Sequence, residues 1–471
     1  MIQNNKSALL IIFIGFIISI LFTTNNLDKY DKNLKRDNGN SYHQMIKNDA
    51  HRYLSHGIEI KDQLKDGVNF FETGREHYTK YLPARIYAAY YYFFDLDPVN
   101  NLNEGEIKTG IHFPYLVMQS LLYYFSVILL YFSISKKINT KISFFVVSFL
   151  CFEPTILQYH SSFWSESVFF SLQILLISLI LKNNQSNLNF FFIGVFLTIL
   201  SFQKEYSIFY IIPVMFYYLL TTNNLKYRKF FFLVIGFFLI QSILGYNNYK
   251  RSGQFYIMTA DSKINLHGDL VGRVITKKFN LTGLGFKSME GEVALKWIQK
   301  NKIELNKAWI ENIKEPGYTD YRSAISEKDR LKFDEFIKSR TLDYFSKYPL
   351  DFIKYAAKNS LHVILLNPFH IYSDNNFVSG EKYYSSKKHA QFIPYRITYS
   401  ISIYIICLYG LYTMIKRKEY NILFYLTLSI VYFYGLVSWH GNTRYFVPVM
   451  IYLAFFFAFG LDKILTLKKN T

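Results

Sequence analysis

The sequence predicts an all-α polytopic membrane protein with about ten transmembrane helices and two long outer-face loops carrying amphipathic helices. Three observations predict it. Apolar residues come in blocks nearly free of charge, such as 8–24 and 421–437, rather than at the period of a soluble helix or strand. Basic residues cluster between alternate blocks. Two long polar stretches separate the groups of blocks.

Taken in order, the expected spans are 8–24, 114–134, 142–160, 165–182, 188–203, 206–222, 229–247, 394–415, 421–438 and 446–462. About 20 residues at 1.5 Å rise are needed to cross the hydrocarbon. The chain is 51% hydrophobic, yet its mean hydropathy is only +0.08, because the polar stretches dilute the blocks. No small-residue cleavage pattern follows Ala8–Phe22, so this block reads as a retained first helix rather than a signal peptide.

Charge sets the orientation. Lys6, then Lys136, Lys137 and Lys141, then Lys226, Arg228 and Lys229, then Lys416, Arg417 and Lys418, and finally Lys463, Lys468 and Lys469 all fall on one side. The positive-inside rule makes that side cytoplasmic. The formal net charge of +19 therefore follows the topology, with the remainder suited to an anionic lipid or phosphate-bearing ligand, and nucleic acid is not expected. Residues 25–113 and 248–393 then face outward, which divides the chain into 1–247 (membrane core with the first outer loop), 248–393 (outer-face region) and 394–471 (C-terminal membrane helices). Leu350–Leu366 carries Lys354 and Lys358 and reads as an amphipathic helix on the outer surface, as does 84–96 with its run of Tyr and Phe.

Cys151 and Cys407 both lie in apolar blocks and read as small buried side chains. The stretch Gly283 to Ser288 lacks phosphate-loop spacing and reads as an exposed turn.

The candidate chemistry sits at the outer ends of the spans, where a membrane enzyme meets lipid-borne substrates. Charge at membrane depth is costly and marks candidate sites. Asp37, Tyr42 and Asp49 follow the first span, and either carboxylate is placed to take a proton from a hydroxyl. Glu166 stands in the short connection between spans three and four, either solvated or facing a cavity. Lys204 interrupts the apolar run between spans five and six, as a phosphate-binding cation or as half of a local pair with Glu205. Asn248, Arg251 and His267 follow span seven, with basic groups suited to phosphate. Arg444 and Tyr445 join the last two spans, and the planar guanidinium fork suits phosphate oxygens.

In that order these residues resemble the GT-C superfamily of membrane glycosyltransferases, in particular the bacterial dolichyl-phosphate-mannose-protein-mannosyltransferase-like branch. The elements carrying the resemblance are Asp37 with Tyr42, Tyr81-Leu82-Pro83-Ala84, Pro154, Ser165-Glu166, Lys204, the run from Asn248 to Gly253, Asn265-Leu266 with Gly268, Tyr348-Pro349, and Arg444-Tyr445 with Pro448. Two departures stand out: Asp37 lies five residues before Tyr42, and Asn247 occupies the place of an arginine, so Asp49 competes as the base.

The resemblance implies a GT-C-like fold and an inverting glycosyltransferase. Its donor would be a polyprenyl-phosphate sugar and its acceptor a cell-envelope glycan, lipid or protein. The active site would lie at the outer, periplasmic face of the cytoplasmic (inner) membrane. Some relatives use a divalent metal ion, although no ligand cluster here is sharp enough to assign one. Two other expectations stay open: an O-antigen-type polymerase or ligase using pyrophosphate-linked oligosaccharides, and a non-catalytic transporter of lipid-linked glycans.

Overall fold

The structure, a computed structural model, describes residues 2–36, 49–73, 81–96, 109–182, 186–221, 227–253, 255, 257, 266–311, 313, 315–366, 387–437 and 443–467. Among them the architecture is helical, and the β geometry is an isolated bridge between Leu305 and Ile325.

Each expected span coincides with an apolar helix, and the chain is a multi-pass helical membrane protein. The helices are α1 (Ile2–Arg36), α4 (Thr109–Lys137), α5 (Thr140–Phe152) continued by α6 (Pro154–Leu157), α7 (Glu166–Leu181), α8 (Asn187–Gln203), α9 (Ile211–Thr221), α10 (Tyr227–Ser252), α17 (Lys387–Lys416), α18 (Tyr420–Val437) and α19 (Val447–Leu467). Within α1, α4, α10, α17 and α19 lie five stretches long and apolar enough to cross a membrane. The bent pair 140–152 and 154–161 makes a sixth, and Glu166–Leu181, Asn187–Gln203, Glu205–Thr221 and Tyr420–Leu436 are shorter apolar helices.

Two helices of the first outer loop, α2 (Asp49–Lys65) and α3 (Tyr81–Phe93), pack as a hairpin. Gly57 permits the approach, since a Cβ there would stand 2.6 Å from the Tyr87 Cβ. Tyr53, Leu54, Tyr87 and Tyr91 join the membrane core, so the hairpin docks on the bundle.

Helix pairing inside the bundle follows small residues, as expected where lipid removes the hydrophobic drive between helices. Cβ atoms on Gly194 and Gly236 would stand 2.1 Å from Leu233 O and 2.2 Å from Phe191 O, so α8 and α10 touch backbone to backbone. Gly410 and Gly460 do the same for α17 and α19, at 1.7 Å from Phe456 O and 2.1 Å from Ile406 O. At one end of the bundle the buried Asp462 accepts from Lys141 Nζ (2.5 Å) and Arg417 (2.6 Å). This joins two of the basic clusters at one end of the bundle.

A second core gathers α11 (Gly272–Phe279), α12 (Gly283–Lys300), α14 (Tyr318–Ala324) and α15 (Glu327–Lys347) around Val271, Ile275, Phe286, Phe333 and Ile337. It lies within the interval 248–393, for which the charge pattern predicts an outward position. The stretch from Gly283 is not an exposed turn. It opens α12, with the Thr282 hydroxyl capping Gly285 N at 2.9 Å. Nor does α16 (Pro349–Val363) simply lie on the surface. Phe352 belongs to the second core and Val363 to the membrane core, so the helix bridges the two. Its exposed Leu350, Ile353 and Leu361 keep the apolar face expected of an interfacial helix.

Candidate functional site around the break after α5

The break after α5 starts the site. Pro154 removes a backbone donor and clashes with the preceding turn, so α5 ends at Phe152 and the chain bends by 49°. Glu153, at the break, accepts from Thr155 N (3.2 Å), Thr155 Oγ1 (2.5 Å) and Tyr399 OH (2.5 Å). Sequence reasoning passed over Glu153. The signal was there, a carboxylate inside an apolar block.

From Gln158 to Ser167 every residue is buried, although the segment is not an α-helix until Glu166. Irregular backbone at this depth must have its polar groups satisfied by the protein. Four helices do so. Gln119 of α4 donates to His160 O (2.7 Å) and Ser162 O (3.0 Å). Tyr87 of α3 donates to Phe163 O (2.8 Å), and Gln203 of α8 to Ser165 O (2.8 Å). Asn26 of α1 donates to Ser161 Oγ (2.8 Å). His160 Nδ1 lies 2.7 Å from Ser167 Oγ.

Glu166 opens α7, where the partial positive charge of a helix N-terminus favours a carboxylate. Its Oε1 accepts from Lys204 Nζ at 2.7 Å, with side-chain exposures of 3% and 1%. The solvated reading of Glu166 is therefore overturned. Lys204 forms an ion pair across to α7.

More polar groups are gathered here than are used. Among the described residues, Gln119 Oε1, His160 Nε2, Ser165 Oγ, Gln203 Oε1 and Ser207 Oγ are buried without a hydrogen-bond partner. Native proteins leave few such atoms, each at a cost of about 1–3 kcal/mol, so their accumulation on the 160–165 loop, on α4 and at and just after the end of α8 marks a place for water or ligand.

A second cation approaches from α3. Arg85 donates to Thr73 O (3.2 Å) and Asn247 Oδ1 (3.5 Å) and stacks over Phe70. Phe202, Leu244 and Leu82 form a small apolar cluster, so α8, α10 and α3 converge. Lys204, Asn247 and Arg85 lie two or three residues beyond those three. The sequence showed Arg85 only as part of an amphipathic stretch. Asn247, where the resemblance expects arginine, instead receives an arginine from another helix.

The remaining candidates fall in three groups. Asn248 is buried next to Asn247 and belongs to this convergence. Asp49 is the first residue of α2, one turn before the buried Tyr53, on the hairpin that reaches the loop through Tyr87. Tyr445 is partly buried against the membrane core in the turn Thr443–Phe446. Asp37 and Tyr42 lie outside the described residues, as do the side chains of Asp49, Arg251 and Arg444.

His267 is not brought to this cluster. It is fully buried in the second core, with Nδ1 3.0 Å from Thr341 Oγ1 and Nε2 3.2 Å from Glu290 Oε2. Glu290 also accepts from Arg340 Nη2 (2.8 Å) and Tyr344 OH (2.6 Å). Burial pushes its carboxyl up, but hydrogen bonds from His267, Arg340 and Tyr344 outweigh this and hold it down at about 2. No group of three His, Cys, Asp or Glu side chains among the described residues could hold a metal ion.

No protein-family model, no curated protein and no solved structure matches this chain.

Proposed function

We propose that the chain is a glycosyltransferase of the membrane surface. It moves a sugar from a polyprenyl-phosphate donor to a cell-envelope glycan, lipid or protein acceptor, with inversion at the anomeric carbon. The same reading takes ten membrane crossings, a GT-C-like fold and an active site on the outer face of the cytoplasmic membrane.

The observation that carries the proposal is the buried Glu166–Lys204 pair set among polar atoms that lack partners. A sugar offers hydroxyls that both donate and accept, which suits two amide oxygens, an imidazole nitrogen and two serine hydroxyls. Lys204 supplies fixed positive charge where the departing phosphate gains negative charge, and a preorganised donor in a dry site stabilises that state strongly. Arg85 adds a planar fork suited to a second phosphate oxygen. Glu166 is committed to Lys204 and acts as its positioning partner. The base that takes the acceptor proton is then Asp49 or Asp37, on the segment leading from α1 to the docked hairpin. The hydroxyl oxygen attacks the anomeric carbon from the face opposite the phosphate, the C–O bond to phosphate breaks, and the phosphate leaves with the electron pair.

Purified protein given polyprenyl-phosphate sugars and acceptor should release polyprenyl phosphate. Loss of release in Asp49→Asn with retention in Asp37→Asn would assign the base to Asp49, and the converse to Asp37. Consumption of pyrophosphate-linked oligosaccharide alone would overturn the donor class. Movement of lipid-linked glycan across the membrane without a transfer product would overturn catalysis.

A further inference from the structure

A cleft opens at the opposite end of the bundle, between the C-terminal ends of α4 and α7 and the middle of α8. Its volume is about 590 Å³. The wall is apolar, with Leu129, Phe132, Leu175, Leu179 and Phe196, and the mouth carries Lys136, Lys137 and Lys182. From Leu129 to Lys137 the helical rise gives a depth of about 12 Å. Leu129 and Phe132 remain 36% and 39% exposed, so the cleft is open sideways, toward lipid.

The three lysines differ from their neighbour Lys141, whose charge is met by Asp462 at 2.5 Å. Among the described residues no carboxylate pairs with Lys136, Lys137 or Lys182. Residues 183–185, which follow Lys182 directly in the sequence, include no Asp or Glu. Part of the lysine charge offsets the negative ends of two helix dipoles. That role needs no apolar cleft beneath it. A soluble anion would likewise gain nothing from five apolar side chains.

We propose that this cleft binds one anionic glycerophospholipid of the cytoplasmic leaflet. The phosphate sits among Lys136, Lys137 and Lys182, and the upper part of an acyl chain lies along the apolar wall. The cleft is separate from the sugar-transfer site, and its occupancy does not depend on that function.

The test is native mass spectrometry of the detergent-solubilised full chain, titrated separately with phosphatidylglycerol and phosphatidylcholine, with inorganic phosphate as competitor. One phosphatidylglycerol should be retained in preference to phosphatidylcholine, and phosphate should not displace it. Retention should fall about fivefold for each of Lys136→Gln, Lys137→Gln and Lys182→Gln, the factor one basic residue contributes near an anionic surface. Leu175→Trp, which fills the cleft with all lysines in place, should also abolish it. The pair Lys416→Gln and Lys418→Gln, from another basic cluster at the same end, should leave it unchanged. Equal retention of phosphatidylcholine, displacement by phosphate, or an equal loss in the Lys416/Lys418 variant would overturn the proposal.

Discussion

Two buried charge networks in this molecule, each built on a glutamate and a cation, end in opposite states. In the second core, Glu290 is saturated: His267, Arg340 and Tyr344 together serve both of its carboxylate oxygens. In the membrane bundle, Glu166 and Lys204 share a 2.7 Å contact amid five buried atoms with no partner among the described residues. A saturated network fixes a fold. One with spare donors and acceptors is held ready for something else, at a standing cost in stability. The difference separates a structural role for His267 from the binding role proposed for the loop 160–167.

Variants can break or sharpen this contrast. The largest effect belongs to the saturated network. Glu290→Ala removes one side of a buried charge pair, which typically costs about 3–5 kcal/mol. It should appear as early thermal unfolding and proteolysis between residues 266 and 363, and an unchanged midpoint would refute the structural role.

Next comes Arg85→Gln. If Arg85 meets a phosphate oxygen, donor KM should rise by about tenfold to a hundredfold, the scale of a charged hydrogen bond at about 1.5–3 kcal/mol. A stability loss without a KM change would confine Arg85 to tying Thr73 and Asn247.

Smaller and opposite in sign is Ser207→Ala. Deleting a buried hydroxyl that lacks a partner should stabilise the apo protein, by about 1 kcal/mol, while weakening sugar binding. Destabilisation instead would mean that the hydroxyl is already satisfied.

The second core also carries a pH signature. The Glu290 carboxyl lies at about 2 in the fold against an ordinary 4.5. A lowered folded pKa means that the unfolded chain binds the proton more readily. This contribution is therefore complete above about pH 4.5 and is lost as pH falls toward 2. Glu290→Gln should remove that slope in an acid titration of stability, and an unaltered slope would assign it to other carboxylates.

The helices of the bundle were legible in the sequence because hydropathy is a local property. Every apolar block became a helix, and the basic clusters at Lys141 and Arg417 met on one aspartate. What stayed hidden depends on distance along the chain. Glu166 and Lys204 are 38 residues apart, and hydropathy cannot distinguish a solvated carboxylate in a short connection from one roofed by four helices. Arg85 and Asn247, separated by 162 residues, were unreadable as a pair for the same reason. His267 looked like a phosphate ligand because its sequence neighbours are polar, while its actual partners come from α12 and α15. Glu153 was the exception. Its place inside an apolar block was visible, and only the adjacent Pro154 drew notice.

The most direct measurement compares polyprenyl-phosphate release by two double variants. Glu166→Gln with Lys204→Met removes the under-used pair together, leaving no lone buried charge between them. Glu290→Gln with Arg340→Met disarms the saturated one. The first should keep its fold and lose turnover by about 10²–10³-fold, the scale of removing one preorganised charge-stabilising donor. The second should lose stability and, below its lowered melting midpoint, turn over within about threefold of the parent, since a distant site adds little coupling. Full turnover in the folded Glu166/Lys204 variant would contradict the assignment of this cluster as the sugar-transfer site.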